Sequence, residues 1–285
     1  MSTLRFLKGH GTENDFVIVP DPDGGLDLDA RQVAALCDRR AGIGGDGLLR
    51  VVRSGKDPAA AHLADEAEWF MDYRNADGSI AEMCGNGIRV FGRYLVESGE
   101  AAPGALRIAT RGGVKDVHVP ADGGDITVDV GTARLPGPDG IEVALPDGST
   151  RPAVNVNMGN PHAVVFVDDL DEAGNLFTAP PVHPPTVYPE GVNVEFVVDR
   201  APGHVAMRVH ERGAGETRSC GTGACAVMVA AARRDGAALP ATYTVDVPGG
   251  RLVITERADG HIEMTGPAVI IAEGEVDRDR LTARN

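Results

Sequence analysis

One short pattern occurs twice in this chain, and any fold it adopts has to accommodate the repetition. Cys84 stands ahead of Gly-Asn-Gly in "NADGSIAEMCGNGIRVFGRYLV", and Cys220, 136 positions later, stands ahead of Gly-Thr-Gly in "ERGAGETRSCGTGACAVMVAA". Each block then enters an apolar, helix-like run. Other segments recur at nearly the same distance. "TRGGVKDVHVPADGGDITVDVG" from Thr110 reads against "VPGGRLVITERADGHIEMTG" from Val247, each a Gly-Gly turn, an alternating strand, an Ala-Asp-Gly turn and another strand. "GHGTENDFVIV" from Gly9 has a counterpart in "NMGNPHAVVFV" from Asn157, a polar loop leading into a hydrophobic strand. Self-similarity at one period indicates tandem duplication. It predicts two similar halves of mixed α+β class, each with strands before and after a helix that starts directly behind its Cys-Gly-x-Gly turn. The expected halves are residues 1–130 and 131–270, with "AVIIAEGEV" as a final strand and 271–285 returning to the first half. A prior of about 150 residues per domain agrees with two. "SGKDPAAAHLADEAE" from Ser54 has no counterpart in the second half, and its polarity predicts an exposed loop.

Charge narrows the partners. A net charge of −15 and a pI near 4.9 set this chain against nucleic acid and anionic membrane surfaces. A small charged ligand needs only local compensation. The start, "MSTLRFLKGHGTENDF", lacks the apolar stretch of a signal peptide, and no segment approaches the roughly 20 apolar residues of a membrane span. A cytoplasmic protein is the expectation.

Four cysteines in a chain of this length do not make a disulfide scaffold. Cys37 lies in "DARQVAALCDRR", where Asp29 is a helix N-cap and Val33, Leu36 and Cys37 share one face. It reads as a core thiol, as does Cys225 in the all-apolar "GACAVMVAA". Cys84 and Cys220 remain. The glycine after each allows a sharp turn and close approach of a ligand, and the helix beyond offers unpaired N–H groups at its positive end. A carboxylate fits there. The same field should lower a thiol from about 8.5 toward the range of roughly 3.5 to 7.5. If the halves face each other, one thiolate can take a proton from a carbon beside a carboxylate while the opposing thiol delivers one to the other face. Two matched thiols suit an inversion, because the reverse reaction exchanges acid and base. Backbone N–H groups after both cysteines would stabilise the carbanion charge. With lysine only at positions 8, 56 and 115, and none in a cofactor motif, no pyridoxal phosphate or other cofactor is expected.

"GHGTENDF", "NADGSIAEMCGNGIR", "NMGNPH", "YPEGVNVEF" and "ERGAGETRSCGTGACA" stand in the order found in diaminopimelate epimerases, and the chain resembles that family along nearly its whole length. The resemblance implies a cofactor-independent, metal-free isomerase that interconverts LL- and meso-2,6-diaminopimelate for lysine and peptidoglycan precursors. Its implied fold is two related domains, each wrapping strands around a central helix. It implies Cys84 and Cys220 as the acid/base pair and His162 and Glu211 in support. Asn14, Asn75, Asn160, Asn193, Glu211 and Arg212 match substrate-contacting positions, and Gly85, Asn86, Gly221 and Thr222 match those whose N–H groups hold the reacting carboxylate. A substrate with two amino-acid ends also needs a distal carboxylate partner, best an Arg fork. Two departures stand out: Gly47 where some members have Gln, and Thr12-Glu13 where Leu-Gly is commoner.

Rival readings are a proline or hydroxyproline racemase of the same fold and, from another class, a thiol redox or metal-binding protein. The racemases usually carry a histidine where this chain has Asn86 and lack "RGAGET". Against the metal reading, neither Cys84 nor Cys220 sits in a Cys-x-x-Cys pair, and the gaps give no zinc-ligand spacing. The sequence is compatible with a homodimer but does not specify one.

Overall fold

A computed structural model describes residues 3–137 and 140–282; the outermost residues of the expected halves, 1–2 and 283–285, lie outside this range. The chain divides into two compact units, residues 1–128 with 266–285 and residues 129–265. It is a mixed α+β protein with a strand-rich repeat.

The first unit contains β1 (Thr3–Gly11), β2 (Asn14–Pro20), α1 (Ala30–Cys37), β3 (Gly47–Arg53), β4 (Trp69–Asn75), α2 (Gly85–Glu97), β5 (Gly104–Thr110), β6 (Gly113–Val119) and the start of β7 (Ile126–Thr132). The second contains β8 (Glu142–Ala144), β9 (Thr150–Asn157), β10 (Pro161–Phe166), β11 (Val182–His183), β12 (Asn193–Ala201), β13 (His204–Glu211), β14 (Gly215–Thr217), α3 (Gly221–Arg234), β15 (Ala241–Val247), β16 (Gly250–Glu256) and β17 (His261–Gly266). The chain then re-enters the first unit as β18 (Val269–Asp277), antiparallel to β1 from Thr3↔Asp277 onward, and ends in α4 (Arg278–Thr282).

Pairing repeats in order. From β1 to β7 neighbouring strands pair antiparallel, parallel, antiparallel, parallel, antiparallel, antiparallel. The series β9, β10, β12, β13, β15, β16, β17 gives the same order. The strand ends repeat as well: Arg74 bridges Ile80 and His210 bridges Glu216, both at the 136-residue offset of the cysteines.

Within each unit the strands surround one helix. In α2 every residue from Gly85 to Leu95 is buried, and α3 is buried at Gly221 and from Gly223 to Ala232. Ala, Val and Met make α3 apolar on all sides, as an enclosed helix requires. α2 instead encloses two arginines. Arg93 donates to Ala268 O at 3.2 Å and to the Gly123 and Gly124 carbonyls at 2.9 and 2.5 Å, which offsets the desolvation of a buried guanidinium. Cys37 is buried with Val33 and Leu36 on α1, whose Asp29–Gln32 capping box closes its start.

The segment from Ser54 is exposed over most of its length, as expected, but it is more ordered than a plain loop. Two 3₁₀ turns, Ser54–Lys56 and Ala61–Leu63, fold it back, and Ala60 and Ala67 pack with Val52, Phe70 and Ala109 in a small core. Ala60 and Ala67 are small enough to pack inward while Lys56, Asp65, Glu66 and Glu68 stay in water, a detail that polarity alone does not reveal.

Candidate active site

Each unit puts its cysteine at the same structural position. Cys84 is the N-cap of α2 and Cys220 the N-cap of α3, both with extended backbone, and each sulfur accepts the N–H of the residue three along, Gly87 at 3.5 Å and Gly223 at 3.3 Å. Gly85 and Asn86, like Gly221 and Thr222, form the first helical positions, whose N–H groups have no acceptor within the helix. The sequence folds this way because Gly-x-Gly lets sheet and helix backbones come close. A Cβ on Gly87 would stand 3.3 Å from Leu49 Cδ2.

In the first unit Cys84 gathers a polar cluster. Its thiol donates to Asn14 Oδ1 at 3.6 Å, and Asn86 Nδ2 donates to the same oxygen at 3.2 Å. Asn14 presents that oxygen because its Nδ2 donates to Asp46 Oδ2 at 2.7 Å, and Arg39 holds Asp46 at 2.7 Å. Arg89 Nη2 donates to Asn86 Oδ1 at 2.9 Å and to the buried Thr12 hydroxyl at 3.4 Å. Asn75 ends β4, but its side-chain bonds run to Tyr73 and Ser79, at 3.0 Å each, and not to the Cys84 group. At Gly47 a Cβ would come 2.6 Å from Arg74 O, so a longer residue would need β4 to move.

In the second unit a continuous chain of contacts reaches Cys220. His162 and Glu195 are both fully buried, with Nδ1 2.6 Å from Oε1. His162 Nε2 is 3.0 Å from Asn160 Oδ1, Asn160 Nδ2 donates to Thr222 Oγ1 at 3.4 Å, and Thr222 Oγ1 is 3.6 Å from Cys220 Sγ. Asn193 donates to Pro161 O at 3.0 Å and accepts the Arg212 N–H at 2.9 Å, fixing where Arg212 leaves β13. Glu211, the last residue of β13, accepts from the Thr217 hydroxyl. The Arg212 guanidinium is exposed, and its side chain donates only to Glu190 O at 3.5 Å among the described residues.

The expected lowering of both thiols does not hold for Cys220. Burial first, then the charges of Glu211 and Glu195, push it well above the ordinary thiol range, and the Thr222 and Gly223 hydrogen bonds only partly oppose them. A helix N-terminus acts over its first turn, and here full desolvation and two carboxylates outweigh it.

Sequence reasoning passed over Glu195, Asp46, Thr12 and Arg89. Glu195 sits in "NVEFVV", where alternation gives no sign that both strand faces are buried. Among the described residues no three His, Cys, Asp or Glu side chains cluster in a way that could hold a metal ion, and no helix is long and apolar enough to cross a membrane.

Comparison with known proteins agrees with this geometry. The family model described as diaminopimelate epimerase matches residues 6–136 and 154–271. A diaminopimelate epimerase of Streptomyces coelicolor is 69% identical over 284 residues, 97% of each chain. One from Thermobifida fusca is 50% identical, covering 96% of this chain and 98% of its own. In fold the chain is similar to a phenazine biosynthesis protein of the PhzF family from Bacillus anthracis (TM-score 0.74, 18% identity, 97% and 100% of the two chains). It is also similar to a hydroxyproline epimerase from Agrobacterium vitis (TM-score 0.67, 15% identity, 96% and 92%). The repeated strand pairing, a cysteine capping each enclosed helix and matches at this level over nearly the full length lead to one conclusion: the chain belongs to the diaminopimelate epimerase family.

Proposed function

We propose that the protein epimerises 2,6-diaminopimelate between its LL and meso forms, with Cys84 and Cys220 exchanging the α-proton and no cofactor taking part. Family membership supports the substrate. The observation that carries the mechanism is the repeated N-cap: each unit sets a thiol at the mouth of a helix whose first N–H groups suit a carboxylate. Abstraction beside a carboxylate leaves enolate charge, which those N–H groups stabilise. Inversion requires a proton carrier on each face, and matched thiols serve both directions. Burial and the charges of Glu211 and Glu195 favour the thiol form of Cys220, the form in which it donates.

The distal end of the substrate accounts for Arg212. An exposed guanidinium without a carboxylate partner among the described residues suits a second carboxylate, and Asn75, Asn160 and Asn193 complete the proposed substrate contacts. A one-ended amino acid such as proline leaves the Arg212 fork unfilled. Unpaired polar groups cost about 1–3 kcal/mol each on burial, enough for large discrimination. Incubation with LL-diaminopimelate in D₂O without added cofactor should replace the α-proton signal as the meso form accumulates, while proline stays unexchanged. Exchange on proline but not diaminopimelate would assign the protein to the racemase reading instead.

A further inference from the structure

We propose that Glu195 is a positioning residue for the Cys220 half of the reaction: its carboxylate fixes His162, and through His162 it fixes the Asn160 amide and the Thr222 hydroxyl against the sulfur. This rests on the reading of Cys220 as a reacting thiol.

The geometry runs one way from a fixed end. Glu195 lies on β12, hydrogen-bonded in parallel to β10, which carries His162, so the sheet itself brings the two side chains together. Their contact at 2.6 Å is short, and both side chains are 0% exposed. A carboxylate oxygen accepts, so Nδ1 carries a hydrogen, and the ring is pinned in one orientation. For Asn160 Oδ1 to accept at 3.0 Å, Nε2 donates as well, and with that oxygen held the amide turns its Nδ2 toward Thr222 Oγ1. A hydroxyl that accepts from an amide has its own hydrogen left to give. The nearby acceptor is Cys220 Sγ at 3.6 Å. Glu195 also acts on the sulfur directly. A Cβ on Gly223 would lie 2.8 Å from Glu195 Oε1 and 3.2 Å from Cys220 Sγ, so glycine at 223 is what admits the carboxylate to this helix start.

The other carboxylate oxygen, Oε2, is buried without a hydrogen-bond partner among the described residues. Such an atom costs folding free energy, and a purely structural histidine partner could be supplied by a backbone carbonyl, as Leu176 O serves His210 at 2.7 Å. The titratable groups facing Cys220 are Glu195 on β12 and Glu211 on β13, with His162 on β10 and the buried Tyr188 phenol reached through Glu195. Glu256 on β16 is taken up by Arg233 in the last turn of α3.

The test is the pH dependence of Cys220 alkylation by iodoacetamide, read by peptide mass spectrometry, alongside kcat and KM. In Glu195→Gln the alkylation midpoint should fall by about one pH unit, because a negative charge beside the thiolate is removed. Its kcat should drop about tenfold or more while KM changes little, since a misplaced donor group slows the chemistry more than binding. Thr222→Val breaks the relay at its far end and should move the midpoint up. It carries the test alone if Glu195→Gln does not fold. Unchanged midpoints in the folded variants, with wild-type kcat in Glu195→Gln, would overturn the positioning role. If Cys220→Ala were active, the parent reading would fail; an inactive Cys220→Ala beside a wild-type-like Glu195→Gln would sink only the role of Glu195.

Discussion

Arg212 is the residue whose loss should be felt most selectively. Its backbone is tied by Asn193 and, among the described residues, its guanidinium has only the Glu190 carbonyl at 3.5 Å, so its charge is uncommitted there. Arg212→Met keeps most of the length and removes the fork. A charged hydrogen bond is worth about 1.5–3 kcal/mol, so kcat/KM on LL-diaminopimelate should fall roughly ten- to a hundredfold, with thermal stability unchanged. Steady-state kinetics checks this; unchanged kcat/KM would remove Arg212 from the substrate site. At this scale the two cysteines were legible because they are written twice. Their partners were legible only where a family motif carries them, as "GHGTENDF" carries Asn14 and "NMGNPH" carries Asn160 and His162. Glu195 and His162 are 33 positions apart and meet only through strand pairing. Asp46 was hidden likewise: it orients Asn14 from 32 positions away.

Helix starts and hairpins were readable because their signals are local: an N-cap, a glycine at a turn, an alternating strand. The β1–β2 turn shows where that reading stopped. Thr12 and Glu13 adopt left-handed conformations, φ 49° and 61°, in a two-residue loop closed by the Gly11↔Asn14 pair, a geometry that normally selects Asn or Gly. Nothing in the sequence marks Thr-Glu for it. The Thr12 side chain is buried against Asn86 and Arg89, while Glu13 is exposed. Glu13→Gly should therefore raise stability by about 0.5–1 kcal/mol, as a higher urea midpoint. A lower midpoint would show that the left-handed backbone at Glu13 is not the dominant cost. A second device joins β3 and β4 to the start of the β5–β6 turn: Asp72, fully buried, binds Arg50, Arg74 and Arg111. Burial works to raise its carboxyl, but hydrogen bonds and charge from Arg74 and Arg111 outweigh it and hold the group below the usual carboxylate range. A depressed carboxyl contributes its full stability above the unfolded value of about 3.9 and loses it as pH falls through the folded one. Asp72→Asn should lose about 3–5 kcal/mol at pH 7. It should also flatten the acid limb of the stability–pH curve measured by urea unfolding; an unchanged acid limb would place the acid sensitivity elsewhere.

At the scale of the whole molecule the repeat governs the architecture and places both cysteines. One order of strand pairings occurs twice, and each copy encloses a helix capped by a cysteine. The remaining pieces, such as β8, β11 and the two 3₁₀ turns after Ser54, belong to one unit only, and no repeat could announce them. Duplication leaves two similar thiols, and the different surroundings of each copy set them apart. Cys84 faces an amide oxygen, and Cys220 faces a hydroxyl with two carboxylates nearby. The central claim is that both thiols are needed because each serves one face of one carbon. Epimerisation of LL-diaminopimelate by Cys84→Ala and by Cys220→Ala, each shown folded by circular dichroism, tests it most directly. Both variants should lose turnover by at least about a hundredfold, the low end of general acid–base contributions. Near-normal turnover by either one would contradict the two-thiol account.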